Sequence, residues 1–210
     1  MRRSIEIVVL FMLISGCATR NIDEQYRPTS TNGNGIVIGS ITYQGNYAEY
    51  QVVYRRRPDG PPAFVHHGES AKLIPYIPKG DFENNEPKGS LYAIELPEGD
   101  YEIYNWHVFC GAYRIAPLQE FSLPFHVQAG KVTYVGNTHF LETSKRFLAV
   151  TGVSVTQSDE SARDLAVFMR KYPNFSKAQI AETIAPGTHI DRLGSATSTS
   201  VTPIPTSVYR

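Results

Sequence analysis

Histidine and cysteine are the residues in this 210-residue chain best suited to bind a metal or attack a substrate; it has six of the first and two of the second. His107, His126 and His139 each sit in a strand-like run. Strict alternation puts His126 opposite Phe121, Leu123, Phe125 and Val127, His107 opposite Trp106 and Val108, and His139 opposite Tyr134 and Phe140. Were those strands neighbours, three imidazoles could converge on a metal. No short ligand spacing accompanies them, and the adjacent pair His66-His67 would point to opposite faces of a strand. The expectation is therefore histidines that face solvent or make local hydrogen bonds, with no metal and no cofactor. The chain also lacks a G-x-S-x-G elbow, an H-E-x-x-H helix, a phosphate-cradling G-x-x-x-x-G-K-[ST] loop and a C-x-x-C pair. No catalytic residue is assigned, and a non-enzymatic protein is expected.

Two other groups could carry recognition. Arg55, Arg56 and Arg57 close a strand-like run, where they would guard a sheet edge or form an interaction surface for lipid phosphate or an anionic envelope polymer. Tyr101, Tyr104, Trp106, Phe109 and Tyr113 lie close together. They suit a packed core, or alternatively a platform for a glycan, peptide or lipid ligand.

The cysteines separate by position. Arg2 and Arg3 precede the apolar run Ile7 to Ile14, with Glu6 unusually near it. Eight residues cannot span a bilayer, which needs about 20 in a helix, so the run reads as the core of a signal peptide over residues 1–16. Ile14-Ser15-Gly16-Cys17 follows. It resembles the lipobox of bacterial lipoproteins. That resemblance implies peptidase recognition through Ile14, Ser15 and Gly16, cleavage before Cys17, and diacylglycerol on the Cys17 thiol. The same resemblance makes Ala18 permissive for the outer membrane, facing the periplasm. The membrane is thus the first expected partner, with an envelope protein or glycan as the second. Cys110 is left without an intramolecular partner and is expected to pack as a small hydrophobe.

Removing residues 1–16 takes Arg2, Arg3 and Glu6 from twenty basic and twenty acidic side chains, leaving a formal charge of −1. A nucleic-acid partner, which needs a clustered basic excess, is not expected.

Residues 17–34 are polar and turn-rich beyond the cysteine and read as a flexible tether. Strand signals then run through residues 35–156: Gly35 onward, Ala48–Arg57, Ala71–Ile77, Ser90–Leu96, Asp100–Cys110, Glu120–Gln128, Lys131–Leu141 and Arg146–Thr156. Pro97-Glu98-Gly99-Asp100 reads as a turn and Ala129-Gly130 as a tight hairpin. Ala162, Leu165, Phe168, Met169 and Tyr172 fall at helical spacing within Ser158–Lys171, with Ser158 as N-cap and Pro173 as the stop. Ser176–Ile184 reads as a second short helix, so 157–187 forms a helical segment, and 188–210 reads as a disordered tail. The fold class expected is mainly β: an antiparallel β-sandwich of about 7–9 strands with one or two C-terminal helices packed on it.

Leu96-Pro97-Glu98-Gly99-Asp100-Tyr101-Glu102-Ile103 and Phe125 to Gly136 carry a further resemblance. They are similar to the strand entry and closing hairpin of transthyretin-like and carboxypeptidase-regulatory-like sandwiches, including those of bacterial lipoproteins. The resemblance implies the sandwich and is nearly silent on activity. It leaves three expectations: a non-enzymatic envelope lipoprotein that presents its sandwich to other components, a ligand-binding lipoprotein, or an accessory subunit of a secretion or transport machine.

Overall fold

A computed structural model of the chain describes residues 17–68, 80–82, 87–111, 113–194 and 200–203. Its strands are β1 (Cys17–Ala18), β2 (Asn34–Gln44), β3 (Glu49–Arg56), β4 (Ala63–His67), β5 (Lys88–Pro97), β6 (Gly99–Cys110) and β7 (Tyr113–Ala116). They continue with β8 (Leu123–Val127), β9 (Val132–Arg146), β10 (Ala149–Ser158), β11 (Ile180–Thr183), β12 (His189–Ile190) and β13 (Ser200–Pro203); α1 is Ser161–Lys171. Two mostly antiparallel sheets result. The first runs β1-β4-β3-β6-β7-β13 with β8 also on β6; the second runs β12-β10-β9-β2-β5 with β11 on β9. The mainly β sandwich with a C-terminal helix is the architecture observed.

Alternation explains how the layers fill. Along β2, Val37, Ile41 and Tyr43 face the first sheet, while Ile36 and Ile38 face the helix, and all five are buried. The inner core is strongly aromatic: Tyr50 lies 4.9 Å from Tyr43 and 5.0 Å from Phe140, ring centre to ring centre, and Trp106 stands edge-on to Phe140 at 5.9 Å. The second, smaller core joins Ile36, Ile38, Leu91, Ala93 and Tyr134 to Phe168, Tyr172 and Phe175.

Several sequence expectations change. Ala129-Gly130 does not close a hairpin. β8 pairs with β6 in the first sheet and β9 belongs to the second, so Gln128–Lys131 carries the chain from one layer to the other. Gly130 adopts φ 71° there, and a Cβ on it would lie 2.8 Å from the Ser30 Cβ. The segment Ser176–Ile184 is a 3₁₀ turn (Lys177–Gln179) followed by β11, parallel to β9, because its short apolar run finds an open ladder partner. The tail expectation for 188–210 also fails among its described residues: β12 pairs with β10, β13 pairs with β7, and Leu193 is buried, accepting a hydrogen bond from Trp106 Nε1 at 2.9 Å.

The helix begins at Ser161, not Ser158, which ends β10. Asp159 Oδ1 accepts from Ser161 N at 3.0 Å and so satisfies one of the first-turn donors. The buried stripe is Asp164, Val167 and Phe168. It is turned from the one drawn through Ala162 and Leu165, since a carboxylate occupies an inward position.

The tether is the largest change. Cys17 pairs with Ala63 on the edge of the first sheet, and Thr19 N donates to Phe64 O at 2.8 Å. Ile22 N donates to Ala93 O, and Asn21 Oδ1 accepts from Ala93 N, both at 2.8 Å, on the edge of the second sheet. Tyr26 stacks on Phe175 at 6.1 Å, and Asn174 Nδ2 donates to the Gln25 and Tyr26 carbonyls. Residues 17–26 therefore strap two open sheet edges together instead of hanging free. The strand expected over Ala71–Ile77 and the residues Ile14, Ser15 and Gly16 lie outside the described residues.

Candidate functional site

The arginines and Cys17 come together at one end of the sandwich. Tyr54 pairs with Ala63 on one side, and Ala63 with Cys17 on the other, while Arg56 pairs with Tyr101 at the start of β6. Arg55 is committed to the fold: its Nε donates to Glu102 Oε1 at 2.7 Å, and its guanidinium lies 4.2 Å from the Tyr104 ring centre. Hydrogen bonds from Ser122 and Arg55 hold the Glu102 carboxyl below its usual range, against the opposing effect of burial. Arg56 and Arg57 are exposed, with Arg56 Nη2 on the Glu98 carbonyl at 3.1 Å. The sequence cluster thus splits into one structural arginine and two that face outward.

The histidines do not converge. His126 meets Asp100 at 2.8 Å on an exposed rim, and His107 meets Arg114 at 2.5 Å on the outer face of the first sheet. Burial, reinforced by Arg114, pushes His107 down to about 4. His66 faces out and His67 faces the inner core beside Tyr43, with Ser90 Oγ 2.9 Å from its Nδ1. Burial lowers His67 to about 4 as well. Among the described residues no group of three or more His, Cys, Asp or Glu could hold a metal. Tyr101, Tyr104 and Trp106 are buried, so they form no open platform; the Tyr113 side chain lies outside the described residues. Cys110 packs, partly buried, on the inner core.

The site that sequence reasoning missed lies on the helix side of the second sheet. It starts with a bulge. β2 and β9 slip register between Ile38/Tyr134 and Ser40/Asn137, at Gly136 with φ 96°. A Cβ there would lie 2.6 Å from Gln157 Nε2 and 3.0 Å from Ser158 O. The extra residue inverts the alternation, so Tyr134, Asn137 and His139 share the helix side while Phe140 turns inward, not His139 opposite Tyr134 as simple alternation required. Two polar rungs result. Thr42 Oγ1 reaches Asn137 Oδ1 (2.9 Å) and His139 Nδ1 (3.0 Å).

Asp164 closes the cluster from α1. It is fully buried and accepts from Ser40 Oγ (2.6 Å), Tyr134 OH (2.8 Å) and Arg163 Nε (2.8 Å). Burial and the adjoining Asp164 carboxylate drive the Tyr134 hydroxyl far above its ordinary value, so it stays a donor. Arg163 Nη2 also reaches Ser40 Oγ at 3.1 Å, and its guanidinium lies 4.4 Å from the Phe82 ring centre. Above this floor opens a polar recess of about 430 Å³, lined by Gln44, Asn137, His139, Ser158, Arg163 and His189 among others. Burial, then Arg163, keeps His139 below its usual value, leaving a neutral imidazole at the wall. Neutral donors and acceptors between the Arg163 guanidinium and the Glu160 carboxylate suit hydroxyl-rich or amide-bearing ligands. Two sequence signals pointed here: Gly136-Asn137 inside a strand, and Asp164 on an otherwise apolar helix face.

A smaller apolar cleft of about 150 Å³ opens between β8 and β9, lined by Ile103, Leu123, Phe125, Val135, Ile184 and Ile190 among others. No protein-family model, curated protein or solved structure matches the chain.

Proposed function

We propose that this chain is a non-enzymatic lipoprotein of the bacterial cell envelope, acylated on Cys17, held on the periplasmic side of the outer membrane, and presenting its sandwich to other envelope components. The observation that carries the reading is Ile14-Ser15-Gly16-Cys17 directly behind an apolar run too short to span a bilayer. Two features support it. Cys17 opens an edge strand, so acyl chains on it would leave the domain at its rim. Arg56 and Arg57 face outward at that same end, placed to meet phosphates of the anchoring leaflet. Two or three acyl chains suffice for stable anchoring where one does not.

Intact-mass analysis of the protein from native membranes tests this directly. Cys17 is expected at the mature N-terminus carrying diacylglycerol, and Cys17→Ser is expected to move the protein to the soluble fraction. A mature N-terminus elsewhere, or an unmodified thiol at Cys17, overturns the reading.

The polar recess favours a second reading, a lipoprotein that binds a glycan or peptide ligand. On that reading envelope oligosaccharides or peptides raise the unfolding temperature of the parent chain, and His139→Ala abolishes the rise. No rise with either ligand class removes it.

A further inference from the structure

We propose that the turn joining β9 to β10 is a membrane-inserting tip whose partner is a bilayer bearing anionic phospholipids. Arg146 pairs with Ala149, which leaves Phe147-Leu148 as a two-residue loop. Loops this tight draw Gly, Asn or Asp, because their backbone enters the left-handed region. Phe147 adopts φ 56° there, and the two side chains are 90 % and 85 % exposed. A bulky residue in that conformation is disfavoured, and here the fold returns no packing in exchange. Choices that defy local preference without internal compensation concentrate at functional positions.

Position and charge say what the tip meets. β2 ends at Gln44, opposite Leu141, and β9 continues to Arg146 with β10 as its one strand partner among the described residues, so the ribbon stands out from the sheet. Lys145 and Arg146 form a basic collar directly behind the apolar pair, and residues 143–158 contain no Asp or Glu. The nearest preceding acid in the sequence, Glu142, is turned to the base of the ribbon, where it accepts from Asn46 N at 2.9 Å. An apolar point with a cationic collar matches the boundary between acyl chains and anionic headgroups, where Lys and Arg stems lie along hydrocarbon and their charges reach phosphate. A protein groove is the poorer match. Two side chains with Leu141 behind them fall well short of the roughly 800 Å² per partner of a standard protein interface.

The inference is independent of acylation. Cys17 lies level with Ile103 in the first half of β6, and the tip lies past the far end of β9, toward the opposite pole of the sandwich. A chain of residues 17–210 carrying Cys17→Ser contains every described segment and lacks both the Ile7–Ile14 run and the acylation site. It is expected to float with vesicles of phosphatidylethanolamine and phosphatidylglycerol, less so at high salt, and not with phosphatidylcholine alone. Phe147→Asn with Leu148→Gly places a favoured turn pair in the loop. This variant should unfold at the same or a higher temperature while its vesicle partitioning falls on the order of 100-fold, as loss of two inserted side chains requires. Lys145→Ala with Arg146→Ala should weaken partitioning roughly tenfold. The proposal is overturned if the parent chain stays in solution with anionic vesicles, or if the Asn-Gly variant floats as well as the parent.

Discussion

The two faces of the β2–β9 pair hold their neighbours in contrasting ways. Toward the first sheet, Val37, Ile41, Tyr43 and Phe140 fill space, and their contribution depends on volume and shape. Toward α1, Ser40 and Tyr134 donate to a buried carboxylate while Thr42 ties Asn137 to His139 beside them, and their contribution depends on every donor meeting its acceptor. A space-filling face tolerates similar shapes in any arrangement. A polar cluster admits one arrangement, and that fixes where the helix starts over the sheet and leaves the recess open beside it.

The strongest tests remove the centre of each face. Phe140→Ala should cost about 3–5 kcal/mol through a cavity in the aromatic core. Asp164→Ala should cost a similar amount, about 3–5 kcal/mol, by stranding Arg163, Ser40 and Tyr134. Denaturant unfolding followed by Trp106, the single tryptophan, reads both. The two faces then part in a second cycle. Asp164→Ala combined with Ser40→Ala should cost less than the sum of the single changes, because the hydroxyl has already lost its acceptor; additivity would show that the cluster is no network.

pH provides the next contrast. His67 on the inner face has a folded value of about 4 against an ordinary 6.5, and burial is the main cause. The unfolded chain therefore takes up a proton that the folded chain refuses. Stability is complete above pH 6.5 and declines as pH falls from there toward 4, by as much as about 3 kcal/mol. His139, on the helix side, shifts in the same direction. Urea midpoints between pH 6.5 and 5 should flatten more for His67→Gln than for His139→Gln; equal slopes in both variants would contradict the assignment.

Smaller effects probe the bulge and the rim. Gly136→Ala should cost about 2 kcal/mol, since the residue sits at positive φ and the added carbon meets Gln157 and the Ser158 carbonyl. A neutral result would mean that the strand sheds its bulge freely. Arg55→Ala should cost about 1 kcal/mol, because the guanidinium is partly solvated and Ser122 still donates to the buried Glu102 carboxylate.

Much of the fold was legible because long strands such as β2, β3, β5 and β6 are rich in Val, Ile, Leu and Tyr and are set off by Gly, Pro or Asn. Short strands were not. β11 and β12 have too few residues to show a period, and they form because a ladder partner is open beside them. The layer-crossing at Gln128–Lys131 looks like a hairpin in the sequence because Ala-Gly marks a turn without saying which sheet follows. The recess stayed hidden for a related reason. Its members come from β2, β9, β10, β12 and α1, and they meet only because Gly136 shifts the phase of one strand. The exposed pair Phe147-Leu148 falls within a strand-like stretch, Arg146–Thr156, and a run of residues does not disclose that its apolar members sit at a bend.

The strap formed by residues 17–26 alters what a lipid on Cys17 would do mechanically. A loose leash lets a domain swing through a hemisphere and find partners by wandering. Here the slack is already spent on the sheet edges, so the body would ride close to the leaflet in a restricted set of attitudes. Tension on the lipid would pass straight into the Cys17–Ala63 ladder and on to β3, instead of being absorbed by uncoiling chain.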